Sequence, residues 1–329
     1  MPRRSRRSAA TWSTTRASST RWPGPTSTRE RPRPTSKRSR RRRSGRRSPW
    51  WRTSWSTAIG DVAVITLTTD FGTRDTYVAE MKAAILAIAR DIHLVDITHE
   101  IAPHDVLEGA LALEAAAPSF PADTIHVAVV DPGVGTARRG LAVAAREGVF
   151  IGPDNGLFTP FLRGARWSAF ELSEREFRRP AVSRTFHGRD VFAPAAAHVA
   201  RGLEPARLGP PVADPVRLPW PEAHEARGTI RGAVVHVDRF GNLVTSVGAE
   251  ALSSLGPSVS VRVAGRALRL VGTYGDLSRG GAGALVGSHN RLEIAVNAGS
   301  AAAVLGARRG TPVVVSRTSA PARRARRQS

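Results

Sequence analysis

Between residues 61 and 130 short β-branched runs alternate with segments of helical period, and this alternation restricts the fold more than any other feature. Asp61–Thr69 (DVAVITLTT) ends at Asp70-Phe71-Gly72, which predicts a strand followed by a turn. Tyr77–Ile88 carries Val78, Met81, Ile85 and Ile88 on one side, the spacing of an amphipathic helix. His93–Ile97 reads as a second strand. Asp105–Ala116 reads as a helix, opened by Pro103 and closed before Pro118. Ile125–Val130 is a third strand and delivers Asp131 at its carboxyl end. Strands and helices at this interval predict βαβ units and a largely parallel sheet. Ligands of such sheets bind beyond the strand C-termini, where Asp70 and Asp131 both lie.

Further along, Leu141–Ala145 and Val149–Ile151 predict a hairpin about Gly148, Asp154-Asn155-Gly156 a turn, and Val191–Val199 a helix. Pro210, Pro211, Pro215, Pro219 and Pro221 mark a connector unsuited to a helix or a central strand. Beyond it Thr229–Val237, Leu243–Val247, Ser258–Val263, Ala267–Val271 and Leu292–Val296 read as strands separated by Gly, Asn and Asp turns. The expected architecture is α/β: a largely parallel βαβ sheet domain over residues 61–225, and a smaller, barrel-like all-β domain over 226–316.

The formal charge of +22 invites a nucleic-acid reading, but its distribution opposes one. Residues 1–60 hold 18 Lys and Arg against one acid, and residues 317–329 hold five arginines and no acid. The 256 residues between them carry 26 basic and 26 acidic groups. The first sixty residues are Arg, Ser, Thr and Pro with few aliphatic side chains, too little to offset ordering entropy. They are expected to be a disordered basic arm, irrelevant to the chemistry or a misplaced translation start, and 317–329 a disordered basic tail. Nucleic acid is then a partner only through these arms. The chain contains no cysteine, which excludes disulfides, thiolate nucleophiles and Cys-based zinc sites. No apolar run is long enough to span a bilayer, so a soluble, cytoplasmic protein is expected.

Two stretches hold the candidate chemistry: Val130-Asp131-Pro132-Gly133-Val134-Gly135-Thr136-Ala137-Arg138 and Thr185-Phe186-His187-Gly188-Arg189-Asp190. Together they offer a carboxylate, a guanidinium and an imidazole, the parts needed to hold and polarise a water molecule. Asp131 is either a turn cap or a functional carboxylate. Gly133 and Gly135 free the backbone for a tight loop, Gly135-Thr136 can present N–H groups to a ligand, and Arg138 can fold back on Asp131 in a bidentate pair. His187 is either a satisfied buried residue or a proton-exchanging one, and the density of polar groups around it favours the second. His93, His126 and His236 read as strand residues without a role.

Asp70 and Asp75 flank Phe71-Gly72-Thr73-Arg74. The Asp-Phe-Gly triplet lacks the glycine-rich and catalytic-loop patterns of a kinase, and carboxylates at a strand end suit sugar hydroxyls or an amino group. A metal site of Asp70, Asp75, Asp131 and His187 is an alternative without the support of HExxH or EF-hand spacing. Gly133-x-Gly135 lacks the wider dinucleotide fingerprint. In the second domain, Asp238-Arg239-Phe240-Gly241-Asn242 is either an ordinary hairpin turn or places Asn242 to read a purine edge. Ser288-His289-Asn290 raises the same question with less force.

These stretches resemble, in order, the S-adenosyl-L-methionine (SAM) hydroxide adenosyltransferase family, relatives of fluorinase and chlorinase. The matching segments are TLTTDFGTRDTYVAEMKAAI, VDITHEIAPHDVLEGA, VAVVDPGVGTARRG, GPDNGLFTP, RTFHGRDVFAPAAAHVA, VVHVDRFGNLVTS and LEIAVNAGSAA, spread over residues 61 to about 306. The resemblance implies hydrolysis of SAM to adenosine and methionine by an Asp-Arg-His set falling on Asp131, Arg138 and His187. The halogenases carry tyrosines at the positions of Asp131 and His187, so it favours water over a halide. It further implies that Asp70 binds the ribose hydroxyls, Asp75 and Asp238 the methionine amino end, and Asn242 the adenine edge. Ser288 and His289 would lie near the methionine carboxylate or adenine, although the halogenases have arginine where His289 stands. It implies no metal or redox cofactor, and a homotrimer whose pockets lie between the larger domain of one subunit and the smaller domain of the next. The alternatives are a non-catalytic adenosyl-ligand sensor, a halogenase-like activity, and nucleic-acid binding through the arms.

Overall fold

A strand covered on both faces must bury consecutive side chains, and β1 (Ala63–Thr69) does so from Ile65 to Thr69. The computed structural model describes residues 62–318 except Ala165 and Pro257. The expected basic arm, Asp61 and the tail beyond Thr318 lie outside the described residues. β1 pairs in parallel with β2 (Ile92–Thr98) on one side and β3 (Ile125–Val129) on the other, and β3 pairs in parallel with β5 (Gly148–Pro153). β4 (Gly140–Ala145), β6 (Ser168–Glu171) and β7 (Pro211–Val212) continue the sheet antiparallel, giving the order β2-β1-β3-β5-β4-β6-β7. The sheet is therefore mixed, parallel over four strands and antiparallel over three. β6 and β7 escaped sequence reading because four and two residues carry no legible period; Pro211 sits on the edge strand, where a missing N–H costs nothing.

Alternate residues of β3 enter opposite cores. Ile125, Val127 and Val129 join Met81 and Ile85 of α1 (Tyr77–Leu86) and Ala196 of α3 (Ala193–Ala200). Ala128 and the following Val130 join Ala110 and Leu113 of α2 (Val106–Ala116). Asp105 caps α2, its carboxylate accepting the Glu108 N–H at 2.9 Å. The expected helix over Val191–Val199 is split: Gly188–Phe192 forms a π-helical turn and α3 follows.

The second sheet comprises β8 (His224–Ala226), β9 (Thr229–Val237), β10 (Leu243–Gly248), β11 (Val259–Val263), β12 (Arg266–Arg269), β13 (Ala282–Val286), β14 (Arg291–Val296) and β15 (Pro312–Arg317). Its ladder runs β12-β11-β15-β9-β10-β14-β13, with β8 on β9, and every ladder is antiparallel. The Val271 N–H donates to the Ala284 carbonyl at 2.8 Å just past β12, nearly closing the sheet into a barrel. Pairing with β9 draws His224 into this sheet ahead of residue 226, and Arg317, assigned to the tail, ends β15. β13, β15 and the short helices α4 (Ala249–Ser254) and α5 (Ala301–Leu305) were not anticipated. Each spans only five or six residues, too few for a period to separate helix from strand. Among the described residues no helix is long and apolar enough to cross a membrane.

His126 lies on β3, fully buried, stacked on Phe150 at 4.8 Å with its Nδ1 2.8 Å from Thr66 Oγ1. Burial pushes its pKa down to about 4. The unfolded chain takes up this proton near pH 6.5, so folding stability should fall as pH drops from about 6.5 towards 4, by about 3 kcal/mol in full. Urea midpoints measured across that range should show the fall, and His126→Phe should flatten it.

Candidate active site

Asp131 follows β3 by two residues and Asp70 follows β1 directly; Thr69 and Val129 are register partners, so both carboxylates emerge at one edge of the sheet from neighbouring strands. Asn155, from the predicted turn, donates through Nδ2 to the Val130 carbonyl at 2.8 Å and accepts the Leu157 N–H at 3.2 Å, fixing the strand end that carries Asp131. The loop then makes two successive turns, Val134 N–H to the Asp131 carbonyl and Thr136 N–H to the Gly133 carbonyl, each 3.2 Å. The Thr136 N–H, expected to face a ligand, is thus used inside the loop.

These turns return Arg138 to Asp131. Arg138 Nε donates to Asp131 Oδ1 at 2.9 Å and Nη2 to Oδ2, the bidentate pair expected from the spacing. The pair is nearly buried, and the guanidinium lies 5.2 Å above the Phe192 ring. Gly135 adopts φ +78°, and a Cβ there would stand 2.4 Å from the Arg184 carbonyl oxygen. Only glycine lets this loop close against the segment leading to His187.

His187 opens the π-helical turn, and its Nδ1 lies 2.9 Å from Arg138 Nη2. A guanidinium only donates, so Nδ1 accepts and the imidazole proton sits on Nε2. Burial, then the Arg138 charge, pushes the His187 pKa below its ordinary value, against the weaker pull of Asp131. The polar density around His187 has a separate, structural cause. Asp190 is fully buried and receives Arg189 through Nε and Nη2 at 2.7 and 2.9 Å, the Ser183 N–H at 2.8 Å, and Arg179 at 3.3 Å. Arg189 also reaches Glu80 of α1 at 2.8 Å. Burial works against the Asp190 charge and these donors outweigh it, holding its pKa low. Arg189 and Asp190 are a clamp on the turn; only His187 faces Arg138.

Asp70 is half-buried, its Oδ2 accepting the His104 N–H at 2.9 Å, whereas Asp75 is exposed ahead of α1. In the second sheet Asp238 directly follows β9 and folds its carboxylate over the next turn, Oδ1 accepting from the Phe240 and Asn242 N–H groups at 2.9 and 2.8 Å and Oδ2 from Asn242 Nδ2 at 3.0 Å. The hairpin and ligand readings of Asn242 are therefore compatible: one amide proton is committed to Asp238, and the carboxamide oxygen and second proton are left over. Asp238, Asn242, Ser288 and His289 line a groove of 1780 Å³ that reaches Thr98 and Glu100 at the end of β2. Asp70, Asp75, Asp131, Arg138 and His187 do not line it. Within one chain the structure thus joins Asp131, Arg138 and His187 directly, and gathers the four residues of the second sheet around a separate groove. Among the described residues no group of three or more acidic or histidine side chains is placed to hold a metal ion.

Residues 65–209 match the profile of the SAM hydroxide adenosyltransferase N-terminal domain, and residues 232–314 that of its C-terminal domain. The chain belongs to the SAM hydroxide adenosyltransferase family. It is 42% identical over 254 residues to a protein of Thermus thermophilus named (R)-S-adenosyl-L-methionine hydrolase, covering 74% of this chain and 96% of that one. A Salinispora tropica protein of the same name is 41% identical over 247 residues, 74% and 93% of the two chains. A fluorinase of Actinopolyspora mzabensis is 29% identical over 221 residues, covering 59% of this chain and 74% of that one. Among solved structures, an uncharacterized conserved protein of Thermotoga maritima is 33% identical with a TM-score of 0.74, covering 77% of this chain and 100% of its own.

For this member of the family, sequence reasoning missed Asn155 as the brace of the Asp131 strand and Phe192 beneath Arg138. An amide in a turn directly downstream of a buried strand was the available signal for the first; the second depends on packing alone. Arg138→Met should raise the His187 pKa, because it removes the adjacent cation and leaves the Asp131 carboxylate to stabilise an imidazolium. Titration of the His187 ring by NMR, in a variant whose fold is verified, measures this directly.

Proposed function

We propose that this chain hydrolyses S-adenosyl-L-methionine to adenosine and L-methionine. The observation that carries the proposal is the joined Asp131–Arg138–His187 set, in a chain about two-fifths identical to proteins named SAM hydrolase. A water oxygen forms a bond to ribose C5′ while the C5′–S bond breaks; the sulfonium takes the electron pair and leaves as the neutral thioether of methionine, and one proton is released. Because the leaving group departs uncharged, no acid need protonate it. The protein's task is to hold the water in line, a positioning contribution of roughly several kcal/mol.

The tautomer of His187 divides the work. With Nδ1 occupied by Arg138, its Nε2–H can only donate, so the imidazole orients the water through the water's oxygen. A carboxylate has about four lone-pair sites and Arg138 takes two of them, which leaves Asp131 to accept the water's proton. Arg138 fixes both partners and touches neither product. Asp70 is assigned the ribose hydroxyls, Asp75 and Asp238 the methionine amino group, Asn242 the adenine edge, and Ser288 with His289 the remaining periphery. The separation of these residues within one chain supports a homotrimer in which the groove of one subunit completes the Asp131 site of the next. The reaction as written calls on no metal or redox cofactor.

Purified protein should therefore release adenosine and methionine in equal amounts, with EDTA leaving the rate unchanged. Asp131→Asn, which keeps the shape of the side chain, should lower kcat by roughly 10²-fold or more in protein whose fold and oligomer are verified. Binding of SAM without product would support the sensor reading instead, and a 5′-halogenated adenosine formed with chloride or fluoride the halogenase reading.

The neutral form of His187 is required, since protonation of Nδ1 removes the acceptor that Arg138 holds. As its folded pKa is depressed, kcat/KM should be flat through neutrality and fall only at pH below about 6.5, the ordinary imidazole value. A pH–rate profile whose acid limb lies above that value would overturn this assignment of His187.

A further inference from the structure

The segment Val95-Asp96-Ile97-Thr98-His99-Glu100-Ile101-Ala102-Pro103-His104 has no place in the chemistry above, yet it encloses the Asp70 turn on several sides. The β1–β2 register ends at Thr68 opposite Thr98, which sets the next residue, His99, beside Thr69. His99 and Thr69 are both buried, and His99 Nδ1 lies 2.9 Å from Thr69 Oγ1. The other ring nitrogen, Nε2, lies 3.2 Å from Asp96 Oδ1, and Asp96 is gripped from α1 by Lys82 at 2.6 Å. Nε2 makes no well-aligned hydrogen bond, but the carboxylate beside it favours a proton on Nε2, which leaves Nδ1 to accept from the Thr69 hydroxyl. Thr69 Oγ1 in turn accepts the Phe71 N–H at 3.3 Å. The backbone of the same segment closes the turn: the His99 carbonyl accepts the Gly72 N–H at 2.7 Å, and the His104 N–H donates to Asp70 Oδ2 at 2.9 Å. His104 does so at φ +68°, a left-handed conformation uncommon for a residue other than glycine.

We infer that His99, aligned by Asp96 and acting through Thr69, is a positioning residue that sets the Asp70 carboxylate for the ribose of the substrate. The hydrogen-bonded chain runs from Phe71 N–H to the Thr69 hydroxyl to His99, with the Asp96 carboxylate beside the ring's far nitrogen, and it flanks Asp70 without touching the reacting atoms. Its members are otherwise hard to explain. An imidazole and a threonine hydroxyl buried at the functional edge of a sheet each carry a desolvation cost that an aliphatic pair would avoid. Elsewhere in the same sheet His126 also meets a threonine hydroxyl through Nδ1, but its ring is stacked between aromatic rings, whereas the far nitrogen of His99 has the Asp96 carboxylate 3.2 Å away.

The inference rests on the assignment of Asp70 to the substrate, so the test is a double-mutant cycle on the full-length enzyme. Asp70→Asn alone examines that assignment: if the KM for SAM does not move, the reading of Asp70 fails and this inference with it. If it rises, Thr69→Val, which deletes the relay hydroxyl at constant shape, should raise KM by about tenfold with kcat within about threefold, and Thr69→Ser should restore the wild-type value. In the Thr69→Val/Asp70→Asn double variant KM should be no higher than in Asp70→Asn, because the hydroxyl acts only through that carboxylate. Additive effects on KM, or a Thr69→Val variant that melts earlier with unchanged KM, would reduce the relay to a packing element and overturn the inference. His99→Gln, which keeps a polar side chain but not the two-ended relay, should follow Thr69→Val in raising KM if the variant at position 69 fails to fold.

Discussion

Everything at the functional edge of the parallel sheet is organised around the pair between Asp131 and Arg138. Burying two opposite charges carries a desolvation cost that only good geometry and further hydrogen bonds offset. Here the geometry is bidentate, the guanidinium lies over Phe192, and its remaining contacts go to His187 and to the Arg139 carbonyl. The loop from residue 132 to 137 exists to bring these two side chains together, and it closes only because Gly135 occupies a left-handed conformation against the Arg184 backbone. Removing either partner would leave the other buried and uncompensated. The pair is thus both the scaffold of the loop and the origin of the His187 tautomer.

A second set of ion pairs decides how the two sheets meet. α2 presents Asp105 and Glu114 towards the second sheet, where Arg309 pairs with the first and Arg291 with the second, while Glu108 lies 3.8 Å from His236. Arg291 also holds the Thr245 carbonyl and directly follows the turn bearing Ser288 and His289. The orientation of that turn is consequently tied to a helix of the first domain. A groove whose walls come from both domains can keep its shape only if such contacts resist sliding, and pairs spread from the N-cap to the last turn of α2 provide that.

The legible part of the fold was the part where apolar runs end on turn residues. β1, β3 and α2 are each closed by Asp, Gly or Pro, and Asp131 and Arg138 could be paired because seven residues with two glycines make a natural return. What stayed hidden depends on register or on very short elements. β6 and β7 have too few residues for a period, and β15 begins at a proline. His99 gives no sign of itself, since its partner Thr69 lies thirty residues away and meets it only through the parallel pairing of β1 with β2. The polar density beside His187, which favours a functional reading of that residue, has a structural cause as well: Arg189 and Asp190 secure the π-helical turn, a local distortion that no propensity scale signals.

The donor inventory of Arg138 bears on which nucleophile this site suits. A halide needs unspent donors or positive charge to replace its hydration. Of the five guanidinium N–H groups, Nε and one on Nη2 serve Asp131, the other on Nη2 serves His187, and one on Nη1 serves the Arg139 carbonyl, which leaves a single N–H on Nη1. The cation is fully matched by the carboxylate it holds, and the Thr136 N–H is turned inward to Gly133. What the site presents outward is a carboxylate with free lone pairs and an imidazole N–H. That combination offers no net positive charge to replace a halide's hydration and fits a molecule that donates and accepts at once. Water meets the requirement, and the positive sulfonium of the proposed substrate gains from Asp70, whose carboxylate emerges at the same edge on the neighbouring strand.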